Sequence, residues 1–456
     1  MNDRVIAALQ QIVGSDFVRT GAAAEAYAID GKAPGAVVFP GSPGEVAAVL
    51  KQAQAAGLAV FPRGGGTQMQ LGNVPRRVDI VLGLERLQRV VAHEPADMTV
   101  TVEAGITLDA LQRSLARSGQ YLPVDPPLPP EATVGGIVAT RAFGPLRFGF
   151  RTISDWLLGT KVVTADGIIA KAGARVVKNV SGYEMGRLYT GSHGTLAVIV
   201  EATFKVQPLP RARGALLVPC RDGAAAAAAI QALLSCGVLP AIVELVGPAD
   251  AAHAPAHRAL FDRARGAGAS GDAQALLIAG FLGTDEEVDW QLERTQQALA
   301  AAGAGAGTVR AGWDEVYPHV LAAHRLPPAA EGEGVTCRAH VLSTDLHLLI
   351  EKAYRHSPSG WPFAYAAHAG SGVVRFHWGP APAAASREAL KEHVAAVRAR
   401  AEASHGRLIV EAAPLWLKES LDAWGEPGPD FFLHQAVKKQ MDPRATLSPG
   451  RFIGGI

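Results

Sequence analysis

The spacing of apolar positions changes several times in the first third of the chain, and each change marks an element. A continuous β-branched run near residues 36–39 reads as a buried strand, and the amphipathic stretch that follows reads as a helix. Ser42, Pro43 and Glu45 give that helix a capping box with proline in its first turn, and Gly57 ends it. A second apolar run, Leu58 to Phe61, leads directly into FPRGGGTQMQLG at residues 61–72. Glycine is expensive to order, so three in succession behind a strand predict a loop whose main chain turns tightly and approaches a ligand closely.

The same reading extends along the chain. PPEATVGGIVAT (129–140) enters a small-residue segment, and residues 144–173 run through a loop into a hairpin turned by Asp166 and Gly167. KNVSGY (178–183) and GSHGTL (191–196) precede a long alternating strand. The basic, proline-bearing QPLPRARG at 207–214 closes this region, and a new strand–helix pattern follows it, with strands expected near 241–246, 276–282, 337–343 and 364–378. The expected organisation is an N-terminal helical segment (1–30), a first domain (31–210) and a second, α+β domain with an antiparallel sheet (211–456). The alanine- and glycine-rich stretch near 301–312 and the LPPAAEGEG bend at 326–334 read as exposed loops.

A chain of 456 residues fits two domains at the usual size of about 150 residues or somewhat more each. Lys and Arg number 43 against 42 Asp and Glu, and only 6% of residues are aromatic, which disfavours nucleic acid as a partner. Cys220, Cys236 and Cys337 are odd in number and widely spaced, which argues against a disulfide framework, a zinc site or an iron–sulfur cluster and fits a reducing cytoplasm. The N-terminus reads as an amphipathic helix rather than a signal peptide. Residues 223–243 lack charge, but Gln231, Ser235, Gly237 and Pro240 interrupt them and favour a buried helix and strand over a membrane span. Membrane association is expected to be peripheral at most.

The glycine loop matches neither common phosphate signature. A GxGxxG fingerprint needs a helix directly behind it, which Gly72 and Pro75 forbid, and a P-loop needs GK followed by Ser or Thr. What remains is a nest of N–H groups from Gly64, Gly65, Gly66 and Thr67 able to wrap a pyrophosphate. Taken singly, such glycines serve equally well as plain turns.

As an ordered set, PRGGGT, PPEATVGG, the hairpin, KNVSGY, GSHGTLAVI and the ending MDPRATLSPGRF resemble the flavoprotein family of vanillyl-alcohol oxidase and D-lactate dehydrogenase type. Within that family the likeness is to the FAD-binding subunit of bacterial glycolate oxidase. The resemblance covers nearly the whole chain. It implies a PCMH-type FAD-binding domain of two subdomains, a cap domain over the flavin ring, and a C-terminal segment that returns to the FAD domain. Carried over, Arg63, Gly64, Gly65, Gly66, Thr67 and Gly72 would cradle the pyrophosphate. Thr133, Gly135 and Gly136 would follow the diphosphate and ribityl chain, with Gly191, Gly194 and Ile199 near the flavin or adenine. Gly66 stands where some relatives carry a histidine bonded to the flavin, and every cysteine lies beyond residue 210, so the resemblance implies non-covalent FAD.

Oxidising a 2-hydroxy acid needs a cation for the carboxylate, a base for the hydroxyl proton and a hydride acceptor. AAHAGSGVVRFHWG (366–379) offers His368, Arg375 and His377, the last two sharing a face if the segment is extended. Relatives carry HxGDGNxH there, with metal-binding histidines. Here Ser371, Val373 and Arg375 replace three of those residues, and Glu411 stands alone where relatives have GEHG, so no metal is expected. Arg325 is the alternative carboxylate ligand. The resemblance further implies a sister FAD subunit and an iron–sulfur subunit. A standalone D-2-hydroxy acid dehydrogenase and a non-catalytic FAD-bearing scaffold remain alternatives, and the two histidines and two arginines read equally well as buried or ion-paired structural residues.

Overall fold

The computed structural model describes every residue except 177–181, 249–253, 269–271, 305, 326–333 and 381–385. The KNVSGY motif and the LPPAAEGEG bend therefore fall largely outside the described residues. The chain forms two compact units, Met1–Phe143 with Thr152–Leu209 and Lys418–Ile456, and Gly144–Arg151 with Pro210–Leu417.

The first unit carries two main sheets and a short two-stranded one, Gln120–Tyr121 with Gln207–Pro208. In one, Ala36–Val38, Ile80–Gly83 and Val60–Arg63 pair in parallel, and the short Val18–Arg19 adds an antiparallel edge. The crossover between the parallel strands is the helix Pro43–Ala55, whose N-cap Ser42 accepts from Glu45 N while Glu45 accepts from Gly41 N. The second sheet is antiparallel, in the order Val90–Glu94, Thr99–Glu103, Ala197–Lys205, Leu157–Thr164, Ile169–Gly173. Val46, Val49 and Leu50 of the crossover helix share one buried cluster with Ile80 and Leu82 of the first sheet and Val163, Val198 and Val200 of the second. One apolar helix face thus serves both sheets.

The final segment is sewn into this unit. Val60 N donates to Thr446 O at 2.7 Å and Ser448 N to Val60 O at 3.0 Å, adding Leu447 as a parallel bridge beside the strand that leads to the glycine loop. Lys438, 8% exposed, donates to Thr195 O (2.8 Å), Asp442 Oδ2 (2.7 Å) and Leu447 O (2.9 Å), and the Asp442 carboxylate in turn accepts from Thr446 N and Leu447 N. The motif MDPRATLSPGRF is a closed hydrogen-bond hub.

The second unit is an eight-stranded, wholly antiparallel sheet in the order Val309–Gly312, Ala212–Cys220, Ala275–Gly283, Ile242–Gly247, Phe363–His368, Val373–Trp378, Val335–His340, Arg407–Ala412. The uncharged run 223–243 resolves into the helix Gly223–Ser235, begun by an Asp222 cap, and the wholly buried strand Ile242–Gly247. Among the described residues no helix is long and apolar enough to cross a membrane. Residues 144–151, in sequence part of the first region, join the second unit instead: Gly149 N donates to Ala241 O at 3.1 Å, and Phe148 packs on Gly370 so closely that a Cβ there would meet the ring at 2.3 Å. The hairpin that follows, Leu157–Thr164 with Ile169–Gly173, turns through Gly167 at φ 78°.

Removing the cation from the C-terminal hub leaves Asp442 charged and short of a partner. Lys438→Met is expected to destabilise the first unit by about 3 kcal/mol, the usual loss when one member of a buried ion pair is deleted. Urea unfolding followed separately in each unit measures it, and an unchanged midpoint for the first unit would contradict the hub.

Candidate functional site

The glycine loop lies against the loop at 131–133 with no room between the two backbones. A Cβ on Gly64 would stand 1.9 Å from Thr133 Oγ1, and one on Gly65 would stand 1.6 Å from the Glu131 carbonyl oxygen. Gly66 adopts φ 78°, a region L-residues rarely visit. Thr133 caps the helix Val134–Thr140, and Gly135 seats that helix on Ala104, donating to its carbonyl at 2.7 Å. The glycines thus permit loop-on-loop packing as well as ligand approach.

Around this junction is a cavity that opens to solvent. Arg63, Gly64, Gly65, Gly66, Thr67, Thr133, Gly135, Gly136, Gly194 and Ile199 all line it. Gly72 and Gly191 do not line it. They serve turns instead, Gly72 at φ 106° against the Arg451 carbonyl and Gly191 at φ 79° beside Arg141. Arg451, Ser448 and His193 also form the wall, a contribution of the C-terminal segment and the GSHG turn that residue-by-residue reading missed. The His193 ring packs on Trp424 (4.9 Å between centroids) and Phe452 (5.3 Å). The wall is main chain with cationic side chains, the chemistry a diphosphate needs.

The second unit holds a different constellation on one sheet face. In strand register Arg375 lies opposite Arg338 on one side and Ala366 on the other, and His368 lies opposite Glu244. Glu244 accepts from both imidazoles, His324 Nε2 at 2.6 Å and His368 Nδ1 at 3.0 Å. The two rings stack at 4.0 Å, 8° from parallel. Arg375 Nη1 lies 3.4 Å from the remaining nitrogen of each ring, His324 Nδ1 and His368 Nε2, and Arg375 Nε donates to Glu411 Oε2 at 2.7 Å. Arg338 pairs with the other Glu411 oxygen at 3.1 Å. Glu244, His324, His368, Arg375 and Glu411 are all at most 2% exposed.

These partners assign the tautomers. With Arg375 donating to one nitrogen of each ring, the protons sit on His324 Nε2 and His368 Nδ1, and both imidazoles are neutral. Burial, reinforced by Arg375, pushes both far below the usual histidine range. Burial alone would raise the Glu411 carboxyl, but Arg338 and Arg375 outweigh it and hold it at about 2. His340, on the same face, is lowered to about 3 by burial and by the fields of Arg338 and Arg147.

Glu244, His324 and His368 are residue types that hold a divalent cation, and their ligand atoms lie within 4.8 Å of one another. Ring geometry opposes it. An imidazole binds a metal in its own plane at about 2 Å, and no point satisfies that for two parallel rings stacked 4.0 Å apart. The guanidinium already fills the cationic role.

Of the residues expected here, His368 and Arg375 are brought together. His377 lies two residues along the strand, with Nδ1 3.1 Å from Thr336 Oγ1. Arg325 is exposed, next to the buried His324. The expectation that Arg375 grips a free carboxylate is corrected by its surroundings: it is 2% exposed, with Nε and Nη1 directed at Glu411 and the imidazoles. Glu244 and His324 were missed, although a single acid inside the apolar run AIVELV was a legible signal.

Residues 34–173 match the family described as FAD binding domain, and residues 209–452 match FAD linked oxidases, C-terminal domain. The chain belongs to the FAD-linked oxidases. It is 37% identical over 41% of its length to a D-2-hydroxyglutarate dehydrogenase of Xanthomonas citri, covering 39% of that protein. It is 30% identical over 47% of its length to glycolate oxidase subunit GlcD of Bacillus subtilis, covering 45% of that protein. It is 40% identical over 27% of its length to subunit GlcE of Escherichia coli, covering 35%. The matched region thus spans less than half the length of these relatives. A solved p-cresol methylhydroxylase shares the fold at 15% identity, with a TM-score of 0.72 over 98% of this chain and 96% of that one. FAD is the cofactor of this chain, and the glycine-lined cavity fits it.

The pH dependence of the second unit follows from the network. His324 and His368 titrate near 6.5 when unfolded and far lower when folded, so the unfolded chain binds more protons and stability falls as pH drops below about 6.5. The slope is about 1.4 kcal/mol per pH unit for each histidine. Glu411, depressed from 4.5 to about 2, adds stability that is present above 4.5 and lost as pH falls from there toward 2. Denaturant midpoints between pH 8 and 3 are expected to show the histidine loss first. Glu411→Gln should lower stability throughout the range above 4.5 and remove the further decline below it, and a flat profile from 6.5 to 5 in the unaltered chain would contradict neutral imidazoles.

Proposed function

We propose that the chain is an FAD-dependent dehydrogenase of 2-hydroxy acids, oxidising the substrate to a 2-oxo acid as a subunit of a glycolate oxidase-type complex. The carrying observation is the charge on the second unit's sheet face. Arg338 and Arg375 converge there on Glu411, while His324, His340 and His368 are kept neutral. A face that sets arginines beside uncharged imidazoles suits one carboxylate. Arg375 acts through its neighbours, holding the imidazoles and Glu411 in place. Arg338, with a side chain 13% exposed, is better placed to meet an anion. His377 and the exposed Arg325 stay candidates for contact with the acid. When bound, FAD supplies the hydride acceptor.

Relatives named as D-2-hydroxyglutarate dehydrogenase and as glycolate oxidase subunits support this substrate class. The GlcD and GlcE likenesses favour a sister flavoprotein, and the lack of a cysteine cluster motif in the sequence favours electron exit through a separate iron–sulfur protein. A standalone dehydrogenase of D-lactate type is the second reading, supported by 39% identity to a D-lactate dehydrogenase of Archaeoglobus fulgidus over 40% of this chain and 41% of that one. The site works without metal on this reading, and a reducing cytoplasm suits its free cysteines.

The decisive experiment is anaerobic addition of glycolate, D-lactate or D-2-hydroxyglutarate to the purified yellow protein. Bleaching of the flavin is expected and chelators should leave its rate unchanged; a flavin that no 2-hydroxy acid bleaches, alone or with its co-purifying subunits, refutes the proposal. FAD should be released intact by acid. Gly65→Ala should lower flavin content at least tenfold, because its Cβ would collide with the Glu131 carbonyl, and full flavin content in that variant would show that the loop contact is dispensable.

A further inference from the structure

Beside the glycine loop, three buried charged groups do not balance. Asp30, held at φ 48° in the left-handed region, gives its two carboxylate oxygens to different cations, Oδ1 to Lys418 Nζ at 2.8 Å and Oδ2 to Arg451 Nη1. The three side chains are 9%, 0% and 6% exposed. Their remaining partners are neutral main-chain oxygens: Lys418 donates to Gln70 O, and Arg451 to Met69 O and Asn73 O. Two cations therefore share one carboxylate in a nearly dry place. Burial and the neighbouring Arg451 lower Lys418 to about 8 in spite of Asp30, the mark of a cation short of negative charge.

The position of the cluster matters as much as its charge. Arg451 lines the cavity, and the carbonyls of residues 69, 70 and 73 belong to the turn directly behind the glycines. Lys418 and Arg451 come from the segment that returns to the first unit at the end of the chain. Arg63, on the same wall, adds a further cation.

We propose that an anionic group of the flavin cofactor completes this cluster: Arg451 is a cofactor-binding residue, and Lys418 and Asp30 position it, locking the C-terminal segment over the glycine turn. The inference rests on FAD occupying the cavity and is independent of which substrate reduces it. The anion is either the diphosphate or the reduced flavin ring, whose negative charge a nearby cation stabilises.

The test uses the full chain stripped of flavin and reloaded, with affinity read by flavin fluorescence and ADP as a probe carrying the diphosphate alone. Arg451→Gln is expected to weaken FAD at least tenfold, in both redox states if the diphosphate is the anion and in the reduced state alone if the reduced ring is, while Arg451→Lys stays within a few fold. Asp30→Asn removes both ion pairs yet increases the surplus of positive charge, so it should lower the melting temperature while keeping or tightening FAD. If the diphosphate is the anion, ADP affinity falls in step with FAD; if the reduced ring is, ADP is unaffected and the flavin midpoint potential drops in Arg451→Gln. Should Arg451→Gln fail to fold, Lys418→Met, which leaves one cation to one carboxylate, is expected to weaken FAD in the same direction. Wild-type affinity and potential in the arginine and lysine variants would overturn the proposal. So would equal loss of FAD in Asp30→Asn and Arg451→Gln, since a purely structural cluster predicts that result. Bleaching by 2-hydroxy acids is read separately on the unaltered protein, so a failure of the substrate assignment leaves these outcomes interpretable.

Discussion

Two backbones meet at Gly64–Gly65 and Glu131–Thr133 with no space for a side-chain carbon, and the arrangement of the first unit follows from that contact. The strand Val60–Arg63 must end where the loop begins. The helix Val134–Thr140 must start at Thr133, and the C-terminal residues 446–448 pair beside Val60 to hold the strand in register. A loop this bare is entropically costly. The returning segment offsets it, because Lys438 and Asp442 close the hydrogen bonds of the residues that brace it. The cavity is what remains when these restraints are met.

Charge is handled differently in the two units. In the second, acids and cations alternate from Glu244 through the neutral imidazoles to Arg375, Glu411 and Arg338, and buried members have opposite charges for neighbours. Such a network is stable only when complete, since deleting one member strands a charge in a medium that cannot solvate it. Arg375 places a cation of the chain's own beside the two imidazoles and Glu411. In the first unit the cluster of Asp30, Lys418 and Arg451 is one negative charge short, and it lies where an anionic cofactor is expected.

Much is legible in the sequence alone. Ser42, Pro43, Glu45 and Gly57 delimit a helix by local rules of capping and left-handed backbone, and the Asp166–Gly167 hairpin obeys its turn chemistry. PRGGGT, a loop, and ATVGG, a loop that enters the first turn of a helix, line one cavity because their roles are local and their glycines cannot be disguised. Glu244 was discoverable as a lone acid in an apolar strand. His324 was not: it follows a helix as any polar residue does, and only packing shows that its ring is stacked on His368.

The chain by itself determined the elements, the glycine loops, and the interruption of its uncharged run 223–243 by Gln231, Ser235, Gly237 and Pro240, because each of these is written within a few consecutive residues. Tertiary structure decided which distant residues share a charge. It set Glu244 against His368 across 124 positions and Asp30 against Arg451 across 421, and it moved residues 144–151 into the second unit. The physical reason is that hydrogen-bond and ion-pair partners are chosen by strand register and burial, which sum contributions from the whole fold, whereas caps and turns depend on the dihedral angles of their own few residues.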